Sequence, residues 1–501
     1  MSNLSELLPS GGAQNVVDFV ASGTLPNGKP VILNSNGTVT VVNQTSTSEP
    51  EVIPLGGEVA FSSGGIVDYP VVAYDLNNPN KFVVVYRDPN NGKSGTATIG
   101  SVSGSSITFG SNYVFNSGET NFISVAYDPN TADKFVVTYE DNADSNYGRS
   151  LVGTVSGTAI SFGSETVFNS ATTYYNDIAF DPNSADKFVV VYQDSGNSGY
   201  GTAVVGTISG SSISYGSEYV FNSGNSRWVV ATFDPNNANK VIVAFEDVSS
   251  STHGKVVVGT VSGTSLSFSS EYTFNAAATS DISMDFDPNT ADKFIVAYQD
   301  GGNNSYGKAI IGSLSGSTAS FGSEYTFNAS STYDTGVAFD PNTANKFVVC
   351  YSDSSGETGS VNVGVVSGTA LTYGTQIIMN SGVTTNLSIS FNPEILNRNK
   401  FVVCYSEGTY GRVRMGQLAH TVLTTNLTAT NFVGITDAAI ANSATGSVTI
   451  KGGTTTNLSS LTVNSVYYVQ ANGTISTVSS APAVRIGRAL SSTSINLEFT
   501  A

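Results

Sequence analysis

Seven residues at matching points of an internal repeat hold the most informative chemistry in this sequence: Tyr69, Phe122, Tyr175, Trp228, Asp281, Asp334 and Asn386. Four consecutive copies present an aromatic and the next three a carboxylate or amide. Aromatics beside Asp and Asn suit a saccharide, whose C–H faces stack on rings while its hydroxyls need fixed hydrogen-bond partners. Tyr174, Arg227 and Tyr333 fall near the same rim. The competing reading is that the seven side chains plug and pack an axial channel, with contact between subunits as a third. Asp281 and Asp334 are the pair of carboxylates that could hydrolyse a glycosidic bond, although nothing in the sequence separates an acid from a base. A nucleophile motif, a metal-ligand cluster and a phosphate-binding loop are all missing from the sequence, so neither cofactor nor metal is expected.

The remaining reactive residue types have plainer explanations. Two histidines, His253 and His420, are too few for a His-built zinc site, and two cysteines in 501 residues exclude a disulfide-rich scaffold. Cys350 and Cys404 occupy one place in consecutive repeats, where other copies have Val85, Thr138, Val191, Ala244 and Ala297, so small buried packing residues are expected. Acids recur at Asp88, Asp141, Asp194, Asp247, Asp300, Asp353 and Glu407, each just after a hydrophobic run. Such acids usually accept backbone N–H groups of their own turn, and these lack the ordered spacing of a calcium loop. Glycines at 100, 153, 206, 259, 312, 364 and 416 read as close-packing positions rather than as a phosphate cradle.

The elements that must position these residues follow from the repeat itself. A Lys-aromatic/aliphatic-Val/Ile-Val phrase begins at Lys81, Lys134, Lys187, Lys240, Lys293, Lys346 and Lys400, at spacings of 53, 53, 53, 53, 53 and 54. Each is preceded by a turn at Asp75, Asp128, Asp181, Asp234, Asp287, Asp340 or Asn392. Within a copy, four short runs of β-branched and aromatic residues are separated by Pro, Asn, Asp and Gly turns, as in ISVAY, KFVVTY, RSLVGTV and AISFGSETVF. Four strands per copy is the content of a propeller blade, and no 3.6-residue apolar stripe supports a helical solenoid. The expected fold is all-β: a seven-bladed β-propeller over residues 51–420. The seventh copy lacks a good fourth strand. VIPLGGEVAFSS aligns with SITFGSNYVFNS and places Phe61 opposite Phe115 and Phe168, so residues 52–63 are expected to pair beside 411–419 and close the ring.

Composition narrows the partners. Against 38 Asp plus Glu stand 20 Lys plus Arg, a net charge of −18, and only 12% of residues are charged while 40% are hydrophobic. Nucleic acid is an unfavourable partner, because that affinity comes mainly from Lys and Arg releasing counterions. Membrane insertion is not expected, since no stretch approaches the roughly 18 apolar residues of a spanning helix, and the first residues, MSNLSELLPSGGAQ, lack the basic-then-apolar pattern of a secretory signal.

Residues 1–50 read as an arm, with a short helix or extended stretch at SELLPSGGAQ, followed by hairpins around the NG turns. Thr-rich residues 421–431 read as a linker, and 432–501 as a separate β module with strands near SVTIKG, SVYYVQ, VRIGRAL and INLEF. The end module, NFVGITDAAIANSATGSVTIKGG followed by YYVQANGTIS and IGRALSS, resembles a segment found in structural proteins of tailed bacteriophages, particularly those of marine and cyanobacterial hosts. GTLPNGKPVILNSNGTVTVV is similar to phage fibre or appendage sequence, and together the two cover roughly 100 residues. The resemblance implies a virion protein of the tail fibre or appendage type. Its ends would attach to other virion proteins, and its repeats would contact a host-surface glycan. A tail adaptor without receptor contact is the alternative, followed by a polysaccharide-degrading hydrolase.

Overall fold

The computed structural model describes residues 16–500 apart from 63, 65, 66, 79, 356, 394–398, 409, 480, 481 and 483. The expected helix or arm at SELLPSGGAQ lies outside the described residues. Among them there is no α-helix, only strands and three short 3-10 turns, and no helix is long and apolar enough to cross a membrane. The chain divides into two units, residues 50–419 and the two ends taken together.

Residues 50–419 repeat one four-stranded antiparallel pattern. In the second copy the inner strand Thr120–Tyr127 pairs with Lys134–Asp141, which pairs with Tyr147–Ser156. The outer position is shared by Ala159–Phe162 and the first residues of Thr166–Phe180. That last strand runs on to become the inner strand of the third copy, against Lys187–Asp194. The seventh copy takes its fourth strand from the start of the repeat region: Val52–Ala60 pairs antiparallel with Tyr410–Gln417, Val59 opposite Val413 and Leu55 opposite Met415.

Two repeated packings explain why these residues form these strands. Phe82, Phe135, Phe188, Phe294, Phe347 and Phe401 are fully buried, each lying over the glycine opposite it in the third strand. A Cβ on Gly153 would come within 2.2 Å of the Phe135 ring, so the glycine is required for the close approach. The fourth copy has Val241 in place of Phe, with Gly259 beneath it. Phe61 lies over Gly411 as Phe115 lies over Gly95, which puts the N-terminal strand in the same role as its counterparts.

Neighbouring copies are stitched by polar groups. The fully buried Asp75 accepts the Asp133 N–H at 3.0 Å, and Asp287 accepts the Asn345 N–H at 3.1 Å. The repeated lysine reaches the next copy as well, Lys81 Nζ lying 3.2 Å from Asp133 Oδ1. Between the last and first copies, Lys400 Nζ donates to the Gly104 carbonyl at 2.7 Å, and the Val72 and Tyr74 N–H groups donate to Ser388 and Ser390 Oγ at 3.3 and 3.1 Å. The acids after the second strands cap their own turns: Asp88, Asp194, Asp247, Asp300 and Asp353 each accept the N–H two residues on. Cys350 and Cys404 are buried free thiols in the packing between copies.

The two ends form one unit in which both segments share a sheet. Val16–Val20, Thr445–Ile450, Phe432–Thr436, Pro30–Leu33 and Val39–Val41 lie side by side in that order. The division into an N-terminal segment, a linker and a separate C-terminal module is therefore corrected. Pro30–Leu33 pairs with Phe432–Thr436, and the start of the expected linker lies in the strand His420–Thr425, which pairs with Gln44–Glu49. The physical reason is burial: Leu25, Val31, Val39, Val433 and Val448 make one apolar cluster, which neither end could enclose alone. A second sheet is built from Thr454–Thr455, Ile495–Thr500, Val484–Ala489, Val466–Val469 and Ile475–Ser476.

Candidate functional site

All seven residues singled out in the sequence sit at one structural feature. In each inner strand the register shifts once, between Asp68 and Val71, Asn121 and Ser124, and so on to Thr385 and Ser388. Two residues on the inner strand there face one on its partner, which is a β-bulge. The first residue of every bulge is left-handed: Tyr69, Phe122, Tyr175, Trp228, Asp281, Asp334 and Asn386 have φ between 44° and 53°. Together with the residues that follow them, the seven line one cavity of about 560 Å³.

Within that cavity the residues fall into two arcs. Tyr69, Phe122, Tyr175 and Trp228 pack in succession as tilted pairs, with ring centroids 5.9, 5.2 and 5.4 Å apart. Arg87 lies over the outer face of Tyr69, 5.0 Å from its centroid, and is held there by Asp68 at 2.7 Å. Asp281, Asp334 and Asn386 instead hydrogen-bond along the backbone. The Asp334 N–H donates to Asp281 Oδ1 at 3.0 Å, the Asn386 N–H donates to Asp334, and Thr335 Oγ1 donates to the Asp281 carbonyl. Burial and the neighbouring Asp334 charge push the Asp281 carboxyl up to about 6, and burial raises Asp334 too. The two residues are adjacent in the cavity, with each carboxylate already accepting a backbone donor.

The inner strands also carry two carboxylates the sequence did not flag, Asp177 in the cavity lining and Asp285 outside it. Asp177 accepts Ser124 Oγ at 2.7 Å and the Ala231 N–H at 2.9 Å, which ties three consecutive inner strands. Asp285, on the inner strand of the fifth copy, accepts the Phe339 N–H of the sixth at 2.8 Å, and burial pushes its carboxyl up to about 7. Other copies hold Val, Ser or Gly at the first position and Ala, Thr or Ser at the second, and only comparison of the copies could have drawn attention to them. Tyr174 and Arg227 line a second recess that shares Phe122 and Tyr175 with the cavity. Tyr333 is exposed on the rim.

No family model matches the sequence, and no curated protein matches it. Among solved structures, the BP39L lectin from Burkholderia pseudomallei aligns with 75% of this chain and 99% of its own, at 11% identity and a TM-score of 0.52. Sqt1 from Chaetomium thermophilum aligns over 72% and 83%, at 13% identity and a TM-score of 0.46. AofleA from Arthrobotrys oligospora aligns over 80% and 97%, at 8% identity and a TM-score of 0.42. At such identities the likeness is one of fold alone, and with the lectin it is that of an all-β, β-propeller-like chain.

Proposed function

We propose that residues 50–419 form a seven-bladed propeller, closed by strand Val52–Ala60, whose mouth binds a host-surface glycan, and that the chain is a non-enzymatic structural protein of a tailed-phage virion. Seven matching bulges, the outer pairing of Val52–Ala60 in the last copy and the bonds from Ser388 and Ser390 to the first copy support the ring. The virion placement, on a tail fibre or appendage held by its ends to other virion proteins, rests on the resemblance of the flanking segments.

The observation that carries the binding function is the occupancy of the bulges. A left-handed backbone favours Gly, Asn and Asp and costs other residues roughly 1–2 kcal/mol. Asp281, Asp334 and Asn386 suit that backbone; Tyr69, Phe122, Tyr175 and Trp228 do not. Four aromatics held against local preference around an open cavity of ligand size are what stacking on a sugar ring requires. Binding of host polysaccharide to the purified protein tests this. Tyr175→Ala and Trp228→Ala should abolish capture, and in particles should abolish adsorption; unchanged adsorption by intact particles sinks the reading in favour of a tail adaptor.

The raised Asp281 carboxyl beside Asp334 favours hydrolysis as a second reading, with Asp281 as the acid. Turnover of host polysaccharide that disappears in Asp281→Asn and Asp334→Asn would establish it. No turnover by the unaltered protein would reject it.

A further inference from the structure

Between the third and fourth copies, Tyr174, Gln193, Gly199, Asn225 and Arg227 line a recess of about 480 Å³ that opens beside the aromatic arc. Its lining contains an arginine and no carboxylate, in a chain with 38 acids. Among the described residues, Arg227 is the one arginine with neither a hydrogen bond nor an ion pair. Arg87, Arg149, Arg412, Arg414, Arg485 and Arg488 each have such a partner. At the same cross-strand pair, Asp68 is bonded to Arg87, Asn121 to Glu140 and Ser280 to Gln299, while Tyr174–Gln193, Tyr333–Ser352 and Thr385–Ser406 are not joined by their side chains. Arg227 stands opposite Glu246 beyond ion-pair distance, though within coulombic reach of it, and is exposed.

The rest of the recess is fitted for a polar ring. Gln193 Nε2 donates to Asn225 Oδ1 at 2.7 Å, which fixes two amides side by side. The Tyr174 ring is held edge-on to Phe122, with centroids 5.5 Å apart. The floor is open because the position before the third strand is Gly199 in this copy. The others place Lys93, Asn146, Thr252, Ser305 and Glu357 there, all left-handed like Gly199 itself. A Cβ on Gly199 would lie 3.1 Å from Asn225 Nδ2 and 3.3 Å from Gln193 Nε2. The glycine is therefore not demanded by the backbone, since five side-chain-bearing residues adopt that conformation. It leaves the amide pair room.

We propose that this recess binds the carboxylate-bearing ring of an acidic saccharide, with Arg227 on the carboxylate, Tyr174 flanking the ring and the Gln193–Asn225 pair meeting its hydroxyls. The assignment rests on the saccharide-binding reading of the mouth and names the sugar class. A guanidinium matches a carboxylate in a two-bond fork, and charged hydrogen bonds are the stronger kind. The net charge of −18 opposes an acidic ligand at long range, yet at physiological salt that field is screened beyond about 8 Å. Contacts in the acid-free lining then decide.

The test is calorimetric titration of the full chain with an oligogalacturonate and with its methyl ester, which keeps the sugar ring and its hydroxyls but replaces the carboxylate by a neutral, methyl-bearing group. The free acid should bind about tenfold or more tightly than the ester. Arg227→Gln should erase that preference, and Gly199→Ser should weaken binding of the acid. Ser305 already holds the equivalent backbone conformation, so folding is preserved in the latter. Equal affinity for acid and ester in the unaltered protein, a preference that survives Arg227→Gln, or unchanged binding of the acid in Gly199→Ser each overturn the proposal. Tyr69→Ala separates the two readings, since Tyr69 lines the cavity and not the recess. Loss of ester binding there, with the preference intact in Arg227→Gln, overturns the recess and leaves the mouth standing. Ester binding untouched by Tyr69→Ala, with the preference gone in Arg227→Gln, supports the recess and removes the cavity from the reading.

Discussion

The two arcs of the cavity differ in what their side chains do for the backbone. Both are built from the same bulge at the same left-handed φ. In the arc from Asp281 to Asn386, carboxylates accept the next copy's N–H, so residue choice and backbone agree. In the arc from Tyr69 to Trp228, the residues lack an acceptor suited to that bond, and the rings pack against one another at a tilt instead. One arc is explained by the scaffold it supports. The other is a departure from what the scaffold prefers, which is where a ligand-binding role is to be sought.

The largest expected effect tests whether the two arcs share one scaffold. Phe188→Ala, under the aromatic arc, and Phe347→Ala, under the polar arc, should each cost about 3–5 kcal/mol in chemical denaturation, since both rings are fully buried. Clearly unequal costs would break the premise that the copies are equivalent. Asp281→Ala should cost about 1–3 kcal/mol, because it strips the Asp334 N–H of its acceptor and puts Ala in a left-handed position. Trp228→Asn should cost less, about 1 kcal/mol, as the lost ring contact with Tyr175 is offset by relief at φ 49° and by a new acceptor for the next N–H. The same variant should lose saccharide binding. If it is destabilised as much as Asp281→Ala and still binds, the aromatic arc is packing alone.

The smallest effect is a pH dependence, to which Asp281 and Asp285 contribute on the polar side and the burial-raised Glu140, Asp177 and Glu246 on the aromatic side. Asp281 at about 6 and Asp285 at about 7 hold protons in the folded chain that the unfolded chain, with ordinary carboxyls near 4, has released. Between those values the folded state binds more protons, so this contribution is present in full below about pH 4 and is lost as pH rises through 6 to 7. Melting temperatures should therefore fall modestly from pH 5 to pH 8, and Asp285→Asn should flatten the fall. An unchanged slope in that variant would remove Asp285 as its source.

Much of this was legible in the residues. Lys134, Phe135 and Gly153 mark the second and third strands of a copy by type and spacing, and Phe61 signalled the outer strand that completes the last copy. The seven rim positions could be aligned, but the bulge beneath them could not be read from Tyr, Phe and Trp, which local preference places in ordinary strand. Only Asp281, Asp334 and Asn386 carried a hint of left-handed backbone. The recess was hidden for another reason: Gly199 matters through its contrast with Ser305 and Thr252, and Arg227 through a missing bond. The NGT phrase shared by the end segments pointed to their packing together, but not to one sheet, because Pro30–Leu33 and Phe432–Thr436 meet across about 400 residues of chain and local pattern is silent on such pairings.

By itself the sequence determined the period, the four strands of each copy, the glycines kept for close packing and which side chain stands at each rim position. These depend on contacts within about 50 residues, where alternation and turn residues specify the register. Tertiary structure alone decided that the rim residues sit in left-handed bulges around one cavity, that Arg227 faces an acid-free recess, and that both ends of the chain share a sheet. Those outcomes depend on which groups from distant copies arrive beside each other, and a strand carries no record of its neighbours until burial and hydrogen bonding select them.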